Sequence, residues 1–268
     1  MSYSVIVVKA GGRALASNRQ NILQSVARHS SDGVVFVHGG GDIVSEFERR
    51  LGVEPKIVVS PSGVRSRLTD SAEIEVYTMV MAGKLGKEIA AYLNKLGVKA
   101  VNLSGVDASI IKAQRKKKIV IVDERGRKRV VDGGYTGTIT EVDAQFIKRL
   151  LELGVVLVVS PLAIGEEGEL LNVDGDSAAA AIASSIHADK LYLLTDVDGL
   201  LLDGELVKSL TAAQALEILD KIGPGMNRKV MMAARAVQSG VKRAHICTGL
   251  VADPVEAADL GGGTVIVG

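Results

Sequence analysis

The sequence predicts an α/β fold: a three-layer α/β/α sandwich around a mostly parallel, open sheet, with two intimately joined lobes. Three observations carry that expectation. Short apolar runs bounded by glycine alternate with helix-patterned segments along most of the chain, the rhythm of strand, helix and strand units with right-handed crossovers. Hydrophobic residues make up 47% of the chain but aromatic ones only 3%, and tryptophan is missing, so the core is built from Val, Ile, Leu and Ala, as in a parallel sheet covered by helices. At 268 residues the chain is long enough for one large domain or two joined lobes.

The elements follow in order. Val5 to Val8 reads as a buried parallel strand, because it is a short, wholly apolar run that ends in a glycine pair. A helix is expected near Asn18 to His29, a second buried strand at Val34 to Val37, and a helix near Asp42 to Leu51. Ser66-Arg67-Leu68-Thr69-Asp70 opens a long helix from about Asp70 to Leu96, with Thr69 or Asp70 as its cap. After a strand at Ala100 to Asn102, the stretch from Ile110 to Thr138 changes to strand, turn and strand. With Asp123-Glu124-Arg125-Gly126-Arg127 as the turn, it predicts an antiparallel hairpin leading into Gly133-Gly134-Tyr135-Thr136-Gly137. A helix at Glu141 to Leu153 and a strand at Val155 to Val159 come next. Asp176, ahead of Ser177 and four alanines, has the chemistry of a helix N-cap. A strand at Lys190 to Thr195, helices near Ala212 to Lys221 and Met226 to Ser239, and strands at Ala244 to Thr248 and Thr264 to Val267 complete the set. No Pro-rich or Ser-rich linker and no repeat interrupts it. A seam near Ser160 to Asp176 divides an N-terminal lobe, 1–168, from a C-terminal lobe, 169–268.

Composition narrows the function. A formal net charge of +1 argues against a general nucleic-acid coat. The one cysteine, Cys247, has no internal disulfide partner, which fits a reducing cytoplasm. No apolar run approaches the eighteen or so residues of a membrane span, and the start lacks the pattern of a signal peptide. The expected protein is soluble and cytoplasmic. One stretch stands apart: Lys112 to Arg129 holds nine basic residues against two acids, a local charge of +7. A lysine-guarded sheet edge and a docking surface for an acidic macromolecule both account for it.

Four segments carry the chemistry: Lys9-Ala10-Gly11-Gly12, His38-Gly39-Gly40-Gly41, Asn172-Val173-Asp174-Gly175-Asp176 and Gly225-Met226-Asn227-Arg228-Lys229. The first two place glycines where a buried strand hands over to a helix. Backbone amides can close on a phosphate there, because no Cβ blocks the approach and helix N-termini attract anions. Lys9 lies at the strand edge where open α/β sheets bind ligands. Lys9 and Lys229 supply positive charge, and Asp176 is the carboxylate that can hold both, a combination suited to phosphoryl transfer. His38 closes an apolar strand and is read as a structural hydrogen-bond partner. Thr195-Asp196-Val197-Asp198-Gly199 suits either a nucleotide's ribose or adenine edge or a plain turn. Arg67 can fork a carboxylate.

Together these segments, with Arg67-Leu68-Thr69-Asp70, resemble the amino acid kinase family and in particular its N-acetylglutamate kinase branch, over nearly the whole chain. The resemblance implies an ATP-dependent phosphotransferase that takes a carboxyl group as acceptor, with Mg²⁺ carried by ATP and no metal held by the protein alone. It implies that Lys9 and Lys229 stabilise the transferring phosphoryl group and that Asp176 orients them. Gly11 and Gly12 would line the phosphates, with Thr195, Asp196, Asp198 and Met226 also on the nucleotide. Gly40, Gly41, Arg67 and Asn172 would hold the amino-acid substrate.

Where acetylglutamate kinases usually carry Gly-Leu-Arg-Val-Thr-Asp, this chain has Arg65-Ser66-Arg67-Leu68-Thr69-Asp70. That form is similar to the kinases of the carrier-protein lysine pathway. They phosphorylate α-aminoadipate, and in some archaea glutamate, attached to the C-terminal glutamate of a small acidic carrier, LysW. Arg65, Lys112, Arg115, Lys116, Lys117 and Lys118 would then dock the carrier. An N-acetylglutamate kinase of arginine synthesis is the nearest alternative, and a nucleotide-sensing or nucleic-acid-binding module is the non-enzyme one. Family members usually pair through the N-terminal lobe, and the first strand is expected almost at Tyr3, leaving no room for the extra helix of the arginine-inhibited hexamers. A homodimer is therefore expected.

Overall fold

A computed structural model describes residues 4–268; the expected start at Tyr3 lies outside them. The chain runs β1 (Val5–Ala10), α1 (Gly12–Arg28), β2 (Gly33–His38), α2 (Gly41–Arg50), β3 (Ile57–Val59), β4 (Arg65–Arg67) and α3 (Ser71–Thr78). A π-helical stretch, Met79–Leu85, joins α3 to α4 (Gly86–Lys95), followed by β5 (Ala100–Ser104), β6 (Ile111–Arg115), β7 (Lys118–Val122), β8 (Lys128–Asp132) and β9 (Gly137–Val142). Then come α5 (Ala144–Glu152), β10 (Val156–Ser160), β11 (Leu162–Ile164), β12 (Leu170–Asn172), α6 (Gly175–Ile186) and β13 (Lys190–Thr195). The chain closes with β14 (Leu201–Leu202), β15 (Glu205–Leu206), β16 (Ser209–Thr211), α7 (Ala212–Glu217), α8 (Met226–Gln238), β17 (Arg243–Thr248), α9 (Pro254–Asp259) and β18 (Thr264–Val267).

The main sheet has the order β16-β18-β17-β13-β1-β2-β10-β5 and is parallel apart from the antiparallel contact of β17 with β18. Side chains of a strand alternate between faces, and here both faces are apolar. Val7, Val35, Val37, Leu157 and Leu193 pack under α5, α6 and α8 on one side. Ile6, Val8, Phe36, Val158 and Leu194 pack under α1, α4 and α9 on the other. This two-sided burial is why the strands read as unbroken apolar runs. The sheet crosses the expected seam without a break, since β1 pairs with β13, register Lys9 with Leu193. Cys247 is buried in β17, where burial pushes its thiol pKa up to about 12. No helix among the described residues is long and apolar enough to cross a membrane.

Several expectations change in the structure. The basic stretch forms two nested antiparallel pairs. The expected hairpin is β7 with β8, which extends the sheet β4-β3-β7-β8, while β6 and β9 pair within a second sheet, β12-β11-β6-β9. Glu141 and Val142 end β9, and the next helix begins at Ala144, where Asp143 accepts from the Phe146 amide at 2.9 Å. Arg67 lies in β4, so the long helix starts after it. That helix is capped by Asp70, whose side chain accepts from Glu73 N while Glu73 reaches back to Asp70 N, a capping box.

Candidate active site

Lys9 comes from the C-terminal end of β1, hydrogen-bonded between β13 and β2. The two glycine turns beyond these strands lean on one another. Gly11 N donates to Leu194 O at 3.1 Å and Gly39 N to Ala10 O at 2.8 Å. A Cβ on Gly39 would sit 2.7 Å from Gly12 N, and one on Gly40 would sit 2.2 Å from Leu85 Cδ1 in the π-helical stretch. Glycine is required by this close approach. The result is a pair of turns whose main chain is bare of side chains at the sheet edge.

Asp176 is the point where the halves of the site meet. The structure corrects its expected role as N-cap: Asp174 caps α6, accepting from Ser177 N at 2.8 Å and Ser177 Oγ at 2.9 Å. Asp176, in the first turn, instead turns inward. Its Oδ1 lies 2.7 Å from Lys9 Nζ, and its Oδ2 accepts from Lys229 Nζ at 2.7 Å. Burial works against ionising the Asp176 carboxylate, but the two ammonium groups outweigh it and hold its pKa well below the usual carboxylate range. Burial also opposes the charge on Lys9, yet the carboxylates of Asp176 and Asp174 leave its pKa raised. Lys229 is shifted down, by burial and by the neighbouring Lys9 charge. Gly225, at φ 91°, takes the left-handed turn that starts α8 and aims Lys229 at Asp176.

Lys9, Lys229, Gly11, Gly12, Gly41, Thr195 and Asp196 line one cleft of about 240 Å³. Beside it lies a larger cavity, about 670 Å³, lined by Arg65, Arg67, Lys116, Asn172, Asp174 and Arg228 among others. Arg67 reaches this cavity already engaged. Its Nη1 pairs with Glu48 and lies 3.5 Å from Glu73, and its Nη2 donates to Ser45 Oγ at 2.6 Å and Gly41 O at 3.0 Å. Glu48 and Glu73 are both fully buried. Burial, countered in part by Arg67, leaves the Glu48 pKa raised. Asn172 donates to Thr69 Oγ1 at 2.9 Å, so its amide is fixed across the cavity wall.

His38 has the structural role read from its position. Ser160 Oγ donates to Met81 O at 3.1 Å, so His38 Nε2–H donates to Ser160 at 2.9 Å, and burial lowers its pKa to about 4. The structure does not bring every candidate together. Gly40 packs under Leu85, Asp198 is exposed, and Met226 packs on the core side of α8; none of the three lines either cavity. Of the basic residues, Lys112 is paired with Glu141 at 3.0 Å, and Arg115 donates to Gly134 O at 2.6 Å and lies over the Tyr135 ring. Lys117 and Lys118 are exposed, and only Lys116 of this run lines the large cavity. Arg228 and the buried pair Glu48 and Glu73 were not singled out from the sequence. Asp70 followed three residues on by Glu73 was a legible capping signal, whereas Glu48 sits among other charges on α2.

Two lysines sharing one carboxylate at the C-terminal edge of a parallel sheet, beside side-chain-free turns, define an α/β phosphotransferase. The chain belongs to the amino acid kinase family, whose sequence profile matches residues 4–248. It is 46% identical over 266 residues to a LysW-aminoadipate/LysW-glutamate kinase of Sulfolobus acidocaldarius, covering 98% of this chain and 100% of that one. It is 48% identical over 263 residues to the protein of the same name from Metallosphaera sedula, at 98% and 100% coverage. Among solved structures, N-acetylglutamate synthase from Neisseria gonorrhoeae superposes with a TM-score of 0.81 at 23% identity, over 99% of this chain and 59% of that chain. Carbamate kinase from Giardia lamblia bound to AMP-PNP gives 0.69 at 17% identity, over 99% of each. These two share the fold.

Proposed function

We propose that the protein transfers the γ-phosphoryl group of ATP to the side-chain carboxylate of α-aminoadipate, or of glutamate, borne on a LysW-type carrier, releasing ADP and an acyl phosphate. The observation that carries the reading is the cluster of Lys9 and Lys229 on Asp176. The relatives named for this activity, at 46–48% identity over nearly full length, support the substrate class. So do the cationic side chains lining the large cavity, Arg65, Lys116 and Arg228.

A side-chain carboxylate is ionised at neutral pH and needs no general base. One carboxylate oxygen forms the new bond to phosphorus while the bond to the β-phosphate bridging oxygen breaks. The obstacle is the approach of an anion to an anion, which positioning and positive charge must overcome. Lys9 and Lys229 meet that need, with Asp176 holding their Nζ atoms in place. Gly11, Gly12 and Gly41 leave room for phosphate oxygens, and Thr195 and Asp196 border the nucleotide side. ATP arrives with Mg²⁺, whose charge adds to that of the lysines. Gly41, Arg67 and Asn172 border the acceptor side. The N-terminal lobe, 1–168, thus takes the acceptor and the C-terminal lobe, 169–268, the nucleotide. The enzyme works in the cytoplasm as a homodimer paired through the N-terminal lobe, where Met79 on the long helix is 54% exposed; sedimentation as a hexamer or a monomer contradicts this pairing.

Hydroxylamine trapping of acyl phosphate tests the reaction, with carrier-borne aminoadipate, carrier-borne glutamate and free N-acetylglutamate at equal concentration. Preference for a carrier-borne substrate is the expected result. Preference for free N-acetylglutamate sinks the carrier reading and leaves the kinase chemistry standing.

A further inference from the structure

A second cavity, about 470 Å³, runs between β9, α6 and α8 and joins the acceptor cavity, with Lys116, Gly137, Asp174, Arg228 and Met232 lining both. Its wall on one side is Gly137 to Val142, six consecutive residues of β9. A groove across the face of a strand touches alternate residues, because side chains alternate in direction; a groove that meets every residue in turn follows the strand's edge. β9 has such an edge. It ends the sheet β12-β11-β6-β9 and pairs only with β6 among the described strands. Six residues of strand run about 20 Å, enough for an extended peptide of similar length to lie alongside.

The other walls fit a main chain and select its charge. Small residues of α6, Ser177, Ala180, Ala181 and Ser184, leave the space open. The charged residues lining the groove are Lys116, Arg228, Arg235, Asp174 and Glu141. Asp174 is committed to capping α6 and to Arg228 at 3.4 Å, and Glu141 to Lys112 at 3.0 Å. Lys116 and Arg235 have no ion-pair partner among the described residues. Burial and then the neighbouring Arg228 charge disfavour the charge on Lys116, and both side chains line the same groove, so an anion placed between the two would relieve their repulsion. The positive charge is concentrated at the end of the groove that opens into the acceptor cavity.

We propose that this groove seats an extended acidic peptide, the terminal arm on which a carrier presents its amino acid, aligned main chain to main chain with the free edge of β9 and reaching the acceptor cavity between Lys116 and Arg228. Pairing to an exposed strand edge supplies affinity independent of side chains, while the basic residues select an acidic sequence. The inference rests on the carrier reading and deepens it: the arm lies between α6 and α8, away from the solvent face of the β7–β8 hairpin.

Two measurements test it, using the full-length kinase and a LysW-type carrier charged with α-aminoadipate. In the first, Ser184→Trp fills the groove and Arg235→Glu reverses its charge. The KM for the charged carrier rises roughly tenfold in the first variant and severalfold in the second, with kcat and the KM for ATP within about twofold of wild type. In the second, amide hydrogen exchange of the wild type shows added protection over residues 137–142 when the charged carrier is present. Unchanged KM in both folded variants, or protection confined to 118–132, overturns the groove while the kinase and its carrier substrate stand. Turnover of free N-acetylglutamate with none of the charged carrier removes the carrier reading itself, and the groove falls with it.

Discussion

Two buried ionic clusters border the site with opposite stoichiometry. On the proposed transfer side two ammonium groups, Lys9 and Lys229, share the carboxylate of Asp176. On the proposed acceptor side two fully buried carboxylates, Glu48 and Glu73, share the guanidinium of Arg67. The first cluster keeps a surplus positive charge, which is what a transferring phosphoryl group requires. The second keeps a surplus negative charge, and its arginine has its Nη hydrogens directed at Glu48, Glu73, Ser45 and Gly41. A cation in a motif therefore does not by itself make a free binding site. Lys9 and Lys229 are held at the lining of the small cleft, where the proposed transfer would use them. Arg67 lines the large cavity while held by Glu48, Glu73, Ser45 and the Gly41 carbonyl.

The comparison breaks most visibly at Asp176. Asp176→Ala leaves two buried ammonium groups with no shared counter-ion, and removing one member of a buried pair costs about 3–5 kcal/mol. Denaturant unfolding checks that loss, and trapped acyl phosphate should fall at least as far as in the lysine variants. Next in size are Lys9→Ala and Lys229→Ala. Each is expected to lower kcat by roughly 10²-fold or more, the scale of one lost electrostatic stabiliser, about 2.7 kcal/mol. A drop of less than about threefold in both would remove them from the chemistry. Glu48→Gln should be milder and different in kind. It loosens Arg67, so the KM for the acceptor rises by roughly three- to tenfold with kcat and the KM for ATP little changed. An equal fall in kcat for Glu48→Gln would mean that the two clusters act as one.

Much of this contrast was legible in the sequence on one side only. The transfer cluster is legible in part because Lys9, the glycine turn after it and Thr195 end or follow strands of the same parallel sheet, whose C-terminal ends meet along one edge, while Asp176 and Lys229 come in from α6 and α8. Lys9, Gly11, Gly12, Thr195 and Asp196 thus come together from topology alone. Asp176 was read correctly as a partner of the lysines and wrongly as a cap. Asp174 and Asp176 carry the same chemistry, and only the entry angle of the chain into α6 decides which one faces inward. The acceptor cluster stayed hidden because its pieces lack period. β4 is three residues long and reads Arg-Ser-Arg, with no apolar alternation to mark it as a strand. Glu48 sits on a helix among Glu46, Arg49 and Arg50, so nothing in the pattern sets it apart from a solvated face. Lys116 and Arg228, more than a hundred residues apart, line the same two cavities, a juxtaposition no local rule supplies.

The clusters also differ in their response to pH, and this gives the smallest and most discriminating test. Asp176 has a lowered pKa, so its contribution to stability is present above about 3.8 and is lost as pH falls through its folded value. Glu48 has a raised pKa, so its contribution is present below 4.5 and is lost as pH rises through its folded value. In the acid range the transfer cluster therefore weakens as the acceptor cluster strengthens. Urea midpoints measured across this range should show the gap between wild type and Asp176→Asn narrowing as pH falls toward the lowered pKa. The wild type should also lose ground to Glu48→Gln as pH rises past 4.5. Parallel curves for wild type and Glu48→Gln would mean that Arg67 offsets the burial of Glu48 in full, so that the carboxylate ionises as readily in the folded protein as in the unfolded chain.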